Sequence, residues 1–255
     1  MQASFRFYGA LNDFLPHGRR FGTLVCTFTW HTSIKDMVEA LGVPHPEVNR
    51  LTVNGEFVDF RYLVRDGDRV AAYPTFHTLD LGHNGRLVPA TSTGVRFIAD
   101  VHLGRLAAYL RLAGFDTDYR TDYSDAALAA TAAGEDRVLL TRDVDLLKRS
   151  VVTHGYFVRN TQPGRQLAEV LQRFECVSAA QPFTRCPRCN GVLQTVDKMR
   201  VVDRVPPRTR DCHDAFSQCP VCASVYWQGS HYHRIQRFLD VAFRTASRPT
   251  EVSPS

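Results

Sequence analysis

The chain has 255 residues, 44% of them hydrophobic and 22% charged, and a formal net charge of +5. This composition excludes a disordered or fibrous chain and suits two or three compact units. No apolar run approaches the roughly 20 residues of a membrane span, and MQASFRFYGALNDFLP lacks a basic start followed by an apolar stretch, so a soluble cytoplasmic protein with no membrane partner is expected.

The first unit, residues 1–76, reads β-β-α-β-β. SFRFYG and TLVCTFTW alternate and carry aromatics, as strands do. Ser33 can cap the helix SIKDMVEALG, with Asp36 at the third helical position and Gly42 at the end. RLTVNGEFV holds an Asn-Gly pair between strand-like flanks, a hairpin signal, and DGDRVAAYPTF adds a turn and a last strand. The order suits a β-grasp, one helix crossing a mixed sheet. Residues 77–94 are rich in turn formers without a period and read as a linker.

Residues 95–180 alternate strand and helix. VRFIAD is a strand ending at an acid. HLGRLAAYLRLAGF is an amphipathic helix with Leu103, Leu106, Leu110 and Ala113 on one face. DTDYR follows as a short strand. Ser124 then caps DAALAATAAG. RVLLTRD is a buried strand ending in an acid, DVDLLKRS opens a short helix, GYFVRN is a strand and QLAEVLQRF a helix. Such a βαβ series predicts a parallel sheet covered on both faces.

Residues 181–244 carry RCPRCNG and QCPVCAS, two CxxC knuckles 29 residues apart. Four thiolates from Cys186, Cys189, Cys219 and Cys222 match tetrahedral zinc and leave no open position, so a structural zinc ribbon is expected. VLQTVDKMRVVDRV and YWQGSHYHRIQRF read as strands of that ribbon, and residues 245–255 as a fraying tail. Of the seven cysteines, Cys26 and Cys176 sit in apolar contexts and read as buried thiols. The odd count argues against a disulfide framework. The net charge is −1 over residues 1–80, +1 over 81–180 and +5 over 181–255. The excess on the ribbon suggests a polyanion, with nucleic acid the first candidate. His231 and Arg234 are its candidate RNA contacts, while Tyr226 and Trp227 are read as packing the ribbon's small core.

Carboxylates mark the predicted strand ends. Asp100 ends the first strand of the βαβ series, Asp143 follows the central one with Asp145 close by, and Asp125 opens a helix. Ligands of open parallel sheets bind beyond the carboxyl ends of the strands. Acids converging there need a cation, and hard oxygen ligands suit magnesium or manganese. A divalent ion at such a site can activate water for phosphodiester hydrolysis. His102, Arg105, Arg111, Arg142 and Lys148 lie near these acids in sequence and are candidates for holding substrate phosphates. Asp116, Asp118 and Asp122 read as turn or edge residues.

FIADVHLGRLAAYLRLAGFDT, SDAAL, RVLLTRDVDLLKR, QLAEVLQRF, RCPRCNG and CPVCASVYWQGSHYHRI, in that order, resemble the C-terminal RNase domain of the Mut-seven exonuclease family, a PIN-like nuclease fold with a zinc ribbon appended. GVPHPEV, VNGEFVDF and DGDRVAAYP resemble the ubiquitin-like β-grasp domain that often precedes it in bacterial proteins. The resemblance implies a metal-dependent ribonuclease with catalytic Asp100, Asp125, Asp143 and Asp145, zinc on the four CxxC cysteines, and RNA as substrate, including tRNA or ribosome-associated RNA. PIN-like sites commonly add an acid from a middle helix; DAALAATAAGED offers Asp125 at its start and Glu135 and Asp136 past its end. The β-grasp unit resembles sulfur carriers, which end in Gly-Gly. Here the chain runs on through TFHTLDLG, so the unit is expected to be an interaction module for a protein partner. The alternative to an enzyme is an RNA- or ribosome-associated binding protein with weak or no turnover.

Overall fold

The computed structural model describes residues 1–75 and 94–248. The expected linker, apart from Gly94, and the tail beyond residue 248 lie outside the described residues.

The N-terminal unit holds β1 (Gln2–Phe7), β2 (Thr23–Thr27), α1 (Ile34–Ala40), β3 (Arg50–Val53), β4 (Glu56–Val58) and β5 (Arg69–Tyr73). The sheet order is β2-β1-β5-β3-β4, with β1 and β5 parallel and the other pairs antiparallel. Alternation along β1 sends Ala3, Phe5 and Phe7 into a core shared with Ile34 and Val38 of α1. Ser33 caps α1 through Oγ, which accepts from the Asp36 amide at 3.1 Å. Asn54 and Gly55, both at positive φ, make the hairpin turn between β3 and β4. The sequence did not announce the folded loop after β1. There Asn12 is buried, donates to the Phe7 and Gly9 carbonyls and accepts from the Phe21 amide. Cys26 is half-buried, not buried as expected, because β2 is an edge strand.

The central unit runs β6 (Phe97–Ala99), α2 (Gly104–Leu112), β7 (Thr117–Tyr119), α3 (Asp125–Gly134), β8 (Val138–Thr141), α4 (Val144–Leu147), β9 (Gly155–Phe157) and α5 (Pro163–Arg173). All its strand pairs are parallel, in the order β7-β6-β8-β9. On one face Phe97 and Ala99 pack with Leu106, Leu110, Leu167 and Leu171. On the other, Ile98 and Leu139 pack with Leu128, Leu146 and Leu147. The sheet is therefore covered on both sides, as its apolar strands require.

The C-terminal unit has β10 (Gln194–Val196), α6 (Pro207–Cys212), β11 (Phe216–Gln218) and β12 (Val225–Trp227) in an antiparallel ribbon, followed by α7 (Ser230–Ala246). Both long strands expected here are corrected. Residues 198–204 form 3-10 turns, and the chain becomes helical three residues after Trp227. Ile235, Leu239, Ala242 and Ala246 recur at helical spacing and enter the central core, so their period outweighs the strand signal of the preceding aromatics. Thus α7, expected as part of the ribbon, packs back on the central unit.

The ribbon docks at the amino ends of the parallel strands. Arg111, 4% exposed, donates Nε to the Thr117 carbonyl and Nη1 to the carbonyls of Pro187 and Arg188 in the first knuckle. Asn190 accepts from the Thr117 amide and donates to Asp116, which also takes Arg137 at 2.7 Å. Burial pushes the Asp116 carboxyl up, but the Arg137 and Asn190 hydrogen bonds outweigh it and hold the group below its usual range. Gly114 sits at φ +97° where a Cβ would lie 2.2 Å from the Gln181 carbonyl oxygen, so the close approach of the Gln181 backbone to the end of α2 requires glycine.

The β-grasp unit covers β9, an edge strand of the parallel sheet. Glu47, 3% exposed on its side chain, accepts from the Phe157 amide at 2.6 Å and pairs with Arg159 at 3.0 Å. Arg159 also reaches Asp13, and Phe14 meets Phe157 edge-on. His45 lies 2.7 Å from the Val152 carbonyl. An edge amide that would otherwise template another strand is thus occupied from within the chain.

Glu47→Ala leaves a largely buried cation and an edge amide without their acceptor, and is expected to cost about 2–3 kcal/mol in urea unfolding. Arg111→Ala strands three carbonyls and is expected to cost about 3 kcal/mol. Hydrogen exchange should then speed up at the Thr117 amide and the first knuckle, while β1–β5 stay protected. Wild-type protection at Thr117 in the variant would refute the docking role of Arg111.

Candidate active site and thiolate centre

The carboxyl edge of the parallel sheet gathers the strand-end acids. Asp100 follows β6 and Asp143 follows its parallel neighbour β8, and Thr141 joins them. The Thr141 hydroxyl donates to Asp100 Oδ2 at 2.8 Å and accepts from the Asp143 amide at 2.9 Å. Asp100 is 7% exposed, and its own amide bonds the Leu140 carbonyl. Asp143 is exposed and caps α4, with Oδ1 accepting from the amides of Asp145 and Leu146 at 2.8 and 3.2 Å. Asp100 Oδ1 and Asp143 Oδ2 keep no hydrogen-bond partner among the described residues, and neither acid is paired with an arginine there. Two carboxylates held by a hydroxyl and a helix N-terminus, each with one oxygen spare, are a donor set that suits a hard divalent cation.

The other expected acids stand on the same edge but apart. Asp125 is exposed in the first turn of α3, behind the Ser124 cap, and Asp145 is exposed in the first turn of α4. Among the described residues, only the four ribbon cysteines form a group of three or more possible ligands with all donor atoms within 4.8 Å. The acids therefore share an edge without closing into a cage.

The expected phosphate ligands divide. His102 and Arg105 are exposed at the start of α2, next to Asp100, and Lys148 is half-buried at the end of α4. Two others are corrected. Arg111 lies at the opposite edge, buried under the ribbon, its Nε and Nη1 donated to carbonyls. Arg142 Nη1 donates to the carbonyls of Val158, Arg159 and Asn160, each at 2.8 Å, so this arginine clamps the end of β9. Both lie near the acids in sequence, but main-chain carbonyls claim Nε and Nη1 of Arg111 and Nη1 of Arg142. Sequence reading passed over Thr141, although a hydroxyl between an apolar run and an acid was visible in LLTRD. It also assigned Asp116 to a turn, whereas this acid joins the sheet to the ribbon.

The four cysteine sulfurs come together from two knuckles built alike. In each, the residue after the second cysteine is left-handed, Asn190 at φ 69° and Ala223 at φ 60°, and its amide bonds the carbonyl of the first cysteine at 2.9 Å. An alanine held there costs roughly 1 kcal/mol, which the knuckle geometry imposes. Cys186 and Cys222 lie 3.6 Å apart and Cys189 and Cys219 3.3 Å. Thiolates about 2.3 Å from one tetrahedral ion stand roughly 3.8 Å apart, so the group could hold such a metal. Hydrogen bonding to the hydroxyl and backbone of Ser224 brings the Cys222 thiol down to about 6. Gly191 leaves room for the Cys219 sulfur, 2.8 Å from where a Cβ would stand. His231 and Arg234 fall on the first turns of α7, where the Arg234 guanidinium lies 2.9 Å from His231 Nδ1.

No helix among the described residues is long and apolar enough to cross a membrane. None of the curated proteins compared matches the chain. Among solved structures, SAMP1 from Haloferax volcanii is similar at 17% identity and a TM-score of 0.25, over 31% of this chain and all of that one. A family profile described as Mut7-C ubiquitin matches residues 1–80, and one described as Mut7-C RNAse domain matches residues 95–239. The chain belongs to the Mut7-C RNAse domain family, a ribonuclease-type family, with a Mut7-C ubiquitin-like domain ahead of the RNAse domain.

Proposed function

We propose that the protein is a metal-dependent ribonuclease that cleaves RNA phosphodiester bonds at the edge where Asp100 and Asp143 meet. The observation that carries this reading is the Thr141 hydroxyl, which holds the two acids at adjacent strand ends with an oxygen spare on each. Magnesium or manganese fits that donor set, since such ions take few carboxylates and complete their shell with water and substrate oxygens. Once bound, the ion supplies an activated water and offsets charge on the phosphoryl oxygens. The chain's own residues do the rest. Thr141 fixes Asp100, the α4 amides fix Asp143, and Asp125 and Asp145 add negative charge at the rim. His102, Arg105 and Lys148 are placed to hold substrate phosphates.

The four-cysteine group is proposed to hold one structural zinc, its closed thiolate set leaving no place for substrate. The ribbon, with His231 and Arg234, is proposed to bind RNA. The ubiquitin-like unit is proposed to receive a protein partner while it clamps β9. Trp30 and Phe21 are 76% and 69% exposed beside the β2 edge. The spread of the four acids favours a second reading, an RNA-binding protein without turnover.

Cleavage of a labelled RNA decides between them. The wild type should cut with magnesium or manganese and stop with chelator, and Asp143→Asn should cut about a hundredfold more slowly or worse. Asparagine is also a good N-cap, so α4 should persist in that variant. RNA binding without cutting by either protein would establish the second reading. Mass spectrometry under native conditions should find one zinc per chain, lost in Cys219→Ser together with the fixed structure of the ribbon. A Cys219→Ser chain that kept stoichiometric zinc would overturn the thiolate assignment.

A further inference from the structure

A cleft of about 1060 Å³ lies where the ribbon meets α2 and α7. It is built from residues that the strand-end site does not use. Leu112 at the end of α2 forms part of its floor, and β12, α6 and the start of α7 form its walls. Four aromatic rings line it: Phe183, Tyr226, Trp227 and Tyr232. Phe183 and Tyr232 pack on each other, with centroids 4.1 Å apart and the rings tilted by 32°. Tyr226 is held by its hydroxyl, 3.0 Å from the Cys186 sulfur, and Trp227 is half-buried and packed against the small cluster of Val201, Val205 and Phe216.

The polar lining is of one sign. Arg185, Arg208, His213 and His231 face the cleft, and no Asp or Glu lines it among the described residues. Arg185 is already engaged by Asp116 and the Asn190 carbonyl. Arg208 is exposed, and its guanidinium has no hydrogen-bond or ion-pair partner among the described residues; the His213 ring makes no hydrogen bond there and interacts electrostatically with the adjacent Asp214. Apolar rings beside an unspent guanidinium and an imidazole that can donate suit a ligand that is planar and anionic at once. Unpaired nucleotides have that character, because each base offers a face for stacking and each phosphate a charge. A duplex hides its base faces and would not enter.

The place of the cleft in the fold fixes its relation to the acids. α2 starts beside Asp100 at the carboxyl edge and ends at Leu112, in the cleft, near the amino edge. Its nine residues span about 13 Å. We propose that this cleft binds an unpaired stretch of RNA, with bases against Trp227 and the Phe183–Tyr232 pair and phosphates at Arg208 and His213, several nucleotides from the bond at Asp100 and Asp143. The binding claim stands by itself; the distance from the cut bond rests on the ribonuclease reading.

The test uses the full chain carrying Asp143→Asn and Trp30→Phe, so that RNA stays intact and Trp227 is the sole tryptophan. A single-stranded 12-mer should quench Trp227 emission, and a duplex of the same sequence should not. Arg208→Ala, a change at an exposed side chain, should weaken 12-mer binding about fivefold and make its salt dependence shallower by about one unit of slope. Unchanged emission at saturating 12-mer, or unchanged affinity and slope in Arg208→Ala, would overturn the cleft. In the chain with intact Asp143, Arg208→Ala should slow cleavage of long RNA but leave a trinucleotide unaffected, and equal slowing of both would overturn the separation of the two sites. Quenching by the 12-mer with no cleavage of any RNA by wild type would sink the ribonuclease reading and leave the cleft standing.

Discussion

The polarity of one short parallel sheet governs the molecule. Because β6, β7, β8 and β9 run the same way, all their carboxyl ends face one edge and all their amino ends the other. Main-chain groups beyond the last hydrogen bond need partners at both edges. At the carboxyl edge, the Thr141 hydroxyl and the α4 amides fix two aspartates there. At the amino edge, Arg111, Asp116 and Asn190 fill the role and fasten the ribbon. The two candidate functions are separated by the sheet that creates both.

The same logic explains why arginines near the acids in sequence do not all serve them. A guanidinium has five donors in a rigid plane and is well suited to collect carbonyls where strands end. Arg142 collects three at the end of β9, and Arg111 collects three across α2, β7 and the first knuckle. Arg159 pairs instead with a carboxylate, Glu47, and through it seats the β-grasp unit on the open edge strand. Each of these three cations bridges elements distant in sequence. Of the expected phosphate ligands, those without such carbonyls are His102 and Arg105, exposed on the carboxyl rim, and Lys148, half-buried beside them.

Much of this was legible from residues alone. Apolar runs ended by an acid located β6 and β8, and strand ends of a parallel sheet are where such acids gather. The CxxC spacing located the thiolates, and Ser33, Ser124 and the Asn54-Gly55 pair marked local structure that depends on nearby residues only. What was not legible depends on contacts across the fold. Asp116 resembled any turn acid until Arg137 and Asn190 met it, and Arg111 resembled a phosphate ligand until the knuckle closed over it. Residues 225–246 carried two signals at once, aromatics that suit strands and a spacing that suits a helix. The chain uses the first for three residues and, after Gln228 and Gly229, the second for seventeen.

The central claim is that Asp100 and Asp143 hold a divalent ion between neighbouring strand ends. Manganese offers the most direct check, through its anomalous scattering in a crystal of the wild-type chain soaked with the ion. The account predicts a peak within coordination distance of both carboxylates, absent in Asp100→Asn. A manganese peak elsewhere with none at this edge, or one that persists there in Asp100→Asn, would contradict it.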